Sequence, residues 1–203
     1  NFKSSYDSKA FNNMLEYRKD VSKILGEANP NSVPSGEYHT GYGSSQQEVL
    51  IGAFLSAYTG RKPKEKNTNP FKSVPLPNWS ANYSGLTKYK WARKFLRSFS
   101  VKHSYSSNVN IAGIQTNLKS VLDSDGHATQ FDLNENFEPG RVIQNVVISE
   151  RFGPLIGFDA TWIIKTKKKK SNGKTGKKGR PKQNGLITKF EWRKDRSVSL
   201  GLT

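Results

Sequence analysis

The amino-acid sequence predicts a mainly β fold, with long antiparallel strands of a very large transmembrane β-barrel of which this chain is a fragment, and two helices in the N-terminal part. Three observations lead there. Stretches near residues 99–111, 142–164 and 186–202 alternate apolar and polar side chains well beyond the ~5–6 residues of an average strand. Only 33% of the 203 residues are hydrophobic, low for a domain that buries its own core but natural where only alternate residues need be apolar. The polar faces are mostly Ser, Asn and Thr, suited to a watery lumen.

The elements follow in order. Residues 8–25 (SKAFNNMLEYRKDVSKIL) put Phe11, Met14, Leu15, Val21, Ile24 and Leu25 along one side of a helix, with Asp7 or Ser8 as its cap and Gly26 at its end. Ala28 to Ser44 is rich in Pro, Gly, Ser and Asn and reads as loop. A second helix is predicted over about 45–59, where Ser45 and Glu48 have capping-box spacing and Gly60 is placed to stop it. Its stripe of Leu50, Ala53, Phe54 and Ala57 would pack on a barrel wall or lumenal element; a gate or docking helix is the functional alternative. Residues 61–77 carry four prolines and little regular structure, so a helix- and loop-containing region is expected over 1–77 and barrel strands over 78–203.

From Trp79 the period becomes two. Trp79, Ala81 and Tyr83 share one face, and PLPNW (75–79) reads as a rigid lead-in anchored by Trp79 near a membrane interface. KYKWARKFLR is a short basic-aromatic connector. In the strands that follow, Phe99, Val101, Tyr105, Ile156, Phe158, Trp162, Phe190, Trp192 and Leu200 are predicted to face lipid. Ser100, Lys102, Ser104, Asp159, Thr161 and Ser199 are predicted to face the lumen. The alternation keeps its phase through Gly153-Pro154, which predicts one long, locally kinked strand there, because a one-residue slip would exchange the faces. Pro154 offers no ladder donor, so a bulge or edge position is expected. A 20-residue strand at ~3.3 Å per residue spans about 65 Å. That suits a large barrel projecting beyond the bilayer, while a soluble antiparallel sheet with one wet face is the plainer alternative.

Net charge is +17 and the pI about 10.0, which favours an anionic partner. Ten of the 33 basic residues lie in KTKKKKSNGKTGKKGRPKQNG (165–185), including Lys167, Lys168, Lys169, Lys170, Lys177, Lys178, Arg180 and Lys182. Its centre, KKGRPK, resembles the AT-hook, a minor-groove reader. The run nevertheless lies between two amphipathic strands, which predicts a hairpin tip that is solvated or touches anionic lipid, lipopolysaccharide or another anionic partner. The chain has no cysteine, which excludes disulfides and thiolate metal sites and suits an oxidising compartment. Asn1 with no recognisable leader reads as the start of a piece of a longer chain.

Five blocks in order, SSQQEVLIGAFLSAYTG, NPFKSVPLPNWSANYSGL, FLRSFSVKHSYSSN, ISERFGPLIGFDATW and TKFEWRKDRSVSLGL, resemble the C-terminal part of the SprA (Sov) family. This family is the outer-membrane translocon of the type IX secretion system of Bacteroidetes, linked in some species to gliding motility. The likeness is best over 45–164 and 186–203 and thin over 1–44. It implies an outer-membrane barrel of roughly 36 strands that exports folded cargo bearing a C-terminal secretion signal. It also implies three kinds of partner: the rest of the same barrel, a companion barrel of the PorV type, and a periplasmic plug protein. The family joins its ATW and TKFEW strands by a short turn, so the basic insertion here takes no role from it.

No catalytic, cofactor or metal site is expected. His39, His103 and His127 are dispersed without metal-ligand spacing, and Glu150 and Asp159 fall on opposite faces. His103, on an apolar face, reads as structural or interfacial. The competing readings are a soluble basic β-rich protein binding nucleic acid through 165–182, and a barrel serving only as scaffold or motility anchor.

Overall fold

The computed structural model describes residues 8–65, 71, 78–164 and 185–202, and in them the chain is mainly β with two α-helices. Helix α1 is Lys9–Glu27, strands β1 (Pro34–Ser35) and β2 (Tyr38–His39) form a small hairpin, and helix α2 is Gln47–Tyr58. Strand β3 (Trp79–Tyr83), two 3₁₀ turns (Gly85–Lys88 and Ala92–Lys94) and the 17-residue β4 (Leu96–Ala112) follow. Short strands β5 (Gln115–Thr116) and β6 (Arg141–Val142) lead to β7 (Asn145–Ile163) and β8 (Gly185–Gly201). β7 is continuous through Gly153-Pro154, as its unbroken phase predicted. The antiparallel order β3-β4-β7-β8 makes one four-stranded sheet, not a closed barrel.

The chain forms two compact units. One comprises Asn1–Pro75, Asn108–Ser149 and Ser197–Thr203; the other comprises Leu76–Ser107 and Glu150–Arg196.

The first unit holds the main core. Met14 and Val21 of α1, Val49, Ile51, Ala53, Phe54, Leu55 and Ala57 of α2, and Val146 and Ile148 of β7 are buried together. Helix α2 is apolar on nearly every side and accordingly buried on nearly every side. On α1, Phe11 and Leu15 remain exposed, and the helix runs through Gly26 to Glu27. Gly26 is there for contact, not termination: a Cβ at that position would collide with the His39 ring. Helix α2 is capped by Gln46, whose side chain accepts from the Val49 N–H at 3.0 Å, so the Ser45–Glu48 capping box does not form. Gly60 follows its C-terminus with φ +70, as its placement suggested.

The loop between β4 and β7 supplies more than polar surface. Phe137 is buried in the core, edge-on to Tyr42 at 5.4 Å and stacked on Phe131 at 4.5 Å. Gly41 makes room for it, having φ +80 and a site where any Cβ would meet the Phe137 ring. Two amides tie the unit together. Asn136 Oδ1 accepts from the Gly43 N–H at 2.9 Å, and Gln47 donates to the Arg141 carbonyl while accepting from the Ile143 N–H, both at 2.8 Å. Gln47 thus bonds the backbone of β6 and of the residue after it as a neighbouring strand would.

Candidate functional site

Alternation along the strands gives the second unit a two-faced sheet. β3 and β4 pair Trp79 with Tyr105, Ala81 with His103 and Tyr83 with Val101 on one face, and Ser80 with Ser104 and Asn82 with Lys102 on the other. The first face carries a lattice of aromatic rings. Trp79 meets Tyr105 at 4.4 Å, Tyr105 meets Phe152 at 4.8 Å, Phe99 meets Phe158 at 6.5 Å, and Phe158 meets Phe190 at 5.3 Å. Such cross-strand pairs hold register and add to stability wherever the face resides. Trp162, Phe190 and Trp192 remain 41%, 47% and 56% exposed, with Ile156 also open.

The opposite face is polar and internally bonded. Lys102 and Asp159 form an ion pair at 2.6 Å, and Ser98 donates to the Thr161 hydroxyl at 2.9 Å. Two residues predicted to face the lumen are therefore joined across adjacent strands. Both charges are partly exposed and screened by water, so the pair orients the side chains more than it stabilises the fold.

β7 carries two more residues than β4 between their shared ties. Ile163 N–H bonds the Phe95 carbonyl and Gln144 N–H bonds the Ala112 carbonyl, which is 19 steps on β7 (163 − 144) against 17 on β4 (112 − 95). The excess requires a bulge, and Pro154 marks where a ladder donor is missing. The carbonyls flanking it are taken by side chains: Ser104 Oγ donates to Gly153 O at 2.6 Å, and His103 Nδ1 lies 2.7 Å from Leu155 O. A carbonyl only accepts, so Nδ1 carries the proton. His103 has a structural role, filling a gap in the ladder.

Strand parity continues through both units, but what covers it changes. In the second unit the aromatic positions are half-buried or open, with one local cover. Ala92 and Leu96 of the β3–β4 connector are buried against Ala160, with Leu86 and Phe99 packed around them. In the first unit Val146 and Ile148 are buried in the core, with Val109, Ile111, Val198, Leu200 and Leu202 packed against it. Leu200 therefore does not belong with the open, lipid-facing set; the protein's own core occupies its face. Ser199, next to it in sequence, is exposed. The docking stripe is corrected for the same reason: Ala53, Phe54 and Ala57 are buried and Leu50 packs on the same core, which leaves no free apolar face on α2. Lys167, Lys168, Lys169, Lys170, Lys177, Lys178, Arg180 and Lys182 lie outside the described residues.

Elsewhere in the first unit a cavity of about 540 Å³ is lined by Tyr38, His39, Phe131, Glu135 and Asn136 among others. Burial pushes the nearby Tyr42 phenol above its ordinary value, although Asn29 donates to it at 3.2 Å. No group of three or more His, Asp or Glu that could hold a metal occurs among the described residues, and none of their helices is long and apolar enough to cross a membrane. The connector's fold, the Phe137 contact and the Gln47 tie escaped sequence reasoning; the acid-free, aromatic composition of 88–97 was the one available signal. No protein-family model matches the chain, and no curated protein matches it.

Proposed function

We propose that this chain is a wall segment of a large outer-membrane β-barrel, and that the barrel is a protein-conducting translocon of the type IX secretion kind. One observation carries the membrane part. A single-layer sheet of long strands bears aromatic rings on one face that no second layer covers among the described residues, apart from the connector at Ala160. In water such a face must be buried by another layer; in hydrocarbon it needs none. The 17-residue edge strand β8, exposed nearly throughout, points the same way, because an open edge asks for a further strand and a barrel supplies one.

The secretion part rests on the five-block likeness to the SprA family. On that reading the polar face with Lys102, Asp159, Thr161 and Ser100 lines the passage, and the remaining strands come from the rest of the barrel. A PorV-type barrel, a periplasmic plug and cargo with a C-terminal signal are the partners, and lipid with lipopolysaccharide surrounds the wall. Outer-membrane fractionation tests the first part: recovery of the protein in the aqueous fraction after carbonate washing would refute it. Cargo export in cells depleted of the protein tests the second, and undiminished export would refute the translocon reading while leaving the barrel intact.

A further inference from the structure

The geometry points to the β3–β4 connector as a headgroup clamp that fixes this end of the sheet at the membrane surface by binding anionic lipid phosphates. The inference rests on the barrel reading for the setting of the sheet. Ala92 and Leu96 are buried against Ala160 of the aromatic face, and Arg93 Nε donates to the Thr87 carbonyl at 2.8 Å, so the connector has a fixed inner side. Its outer side presents Tyr89, Trp91 and Phe95, which are 54%, 59% and 62% exposed. Lys88, Lys90 and Lys94 stand between them, and among the described residues no carboxylate pairs with any of the three. The sequence offers no nearby acid either, since no Asp or Glu occurs between Glu65 and Asp123.

Aromatic rings and ammonium groups interleaved at a strand end match the boundary between acyl chains and headgroups. The rings decide between a lipid and a free phosphate. A soluble phosphate would satisfy the lysines and leave three large rings in water, whereas a leaflet receives both. The occupant is a bilayer leaflet bearing anionic phosphodiester headgroups.

The test uses the whole barrel, this chain together with the strands that complete it, in phosphatidylcholine vesicles with or without phosphatidylglycerol, every tryptophan outside this chain being replaced by phenylalanine. One variant keeps only Trp91 (Trp79→Phe, Trp162→Phe, Trp192→Phe), and a second keeps only Trp162. Lipid brominated near the headgroup should quench Trp91 more strongly than lipid brominated deep in the chain, and phosphatidylglycerol should strengthen that contact. Each of Lys88→Gln, Lys90→Gln and Lys94→Gln should weaken the phosphatidylglycerol-dependent part by about fivefold, with Lys→Arg at the same position restoring it. Removing residues 167–183 should leave Trp91 quenching unchanged. If Trp162 is quenched by lipid while Trp91 stays fully open to aqueous iodide, the clamp is refuted and the barrel stands. Trp91 quenching indifferent to phosphatidylglycerol refutes the headgroup contact, as does an acidic partner protein protecting Trp91 where vesicles do not. If neither tryptophan meets lipid, the barrel reading falls and the clamp with it.

Discussion

Replacing Phe158 by lysine separates a lipid-facing sheet from an ordinary soluble one. Phe158 sits between Phe99 at 6.5 Å and Phe190 at 5.3 Å, so truncation alone removes two ring pairs. At about 0.5–1.5 kcal/mol each, Phe158→Ala should cost about 1–3 kcal/mol. On the proposed barrel reading, Phe158→Lys would also place a charge in the apolar band, at a cost of about 2–4 kcal/mol near the bilayer midplane and less toward the interfaces. Thr161→Lys is the matched control three residues away on the polar face. It loses one hydrogen bond from Ser98, about 0.5–1.5 kcal/mol, and buries no charge. Urea titration of vesicle-embedded protein, followed by gel mobility without heating, measures all three. The expected order of damage is Phe158→Lys, then Phe158→Ala, then Thr161→Lys. Equal loss from the two lysine variants would refute the assignment of the faces to lipid and water.

Three further outcomes concern the first unit. Gly41→Ala should destabilise it by about 2–5 kcal/mol, because a β-carbon would combine a left-handed backbone with a clash against Phe137; a shift of the thermal midpoint reports this. Gln47→Ala should cost about 1–3 kcal/mol by leaving the Arg141 carbonyl and Ile143 N–H unmatched, whereas Gln47→Asn, one methylene too short, should not rescue it. Asp123 is held below the ordinary carboxylate value, chiefly by the His127 backbone N–H at 2.8 Å and then by the Asn31 amide at 2.8 Å. A depressed folded value means its contribution is complete above the unfolded value near 3.8 and is lost as pH falls through the folded one. Amide exchange at Asp125 and His127 should therefore accelerate on acidification below about pH 4, and Asp123→Asn should abolish that dependence.

The strands were legible because a period of two is a local property. Trp79, Phe99, Phe158 and Phe190 each stand two or a multiple of two residues from their apolar neighbours, and the backbone pleat alone sends them to one side. The continuity of β7 through Pro154 was legible for the same reason, and so was the two-helix N-terminal part. What covers a face is not local. Leu200 and Phe190 look alike along β8, yet one packs on a helical core and the other lies open, because Val146 and Ile148 beside Leu200 meet α2 through contacts some ninety residues apart in sequence. The same distance hid Phe137, whose burial depends on a glycine at position 41, and Gln47, whose amide bonds the backbone at Arg141 and Ile143. Alternation along the chain thus determined which residues share a face. Only long-range packing, which trades chain entropy for contacts the local pattern does not encode, decided which part of that face the protein covers itself and which part it leaves for its surroundings.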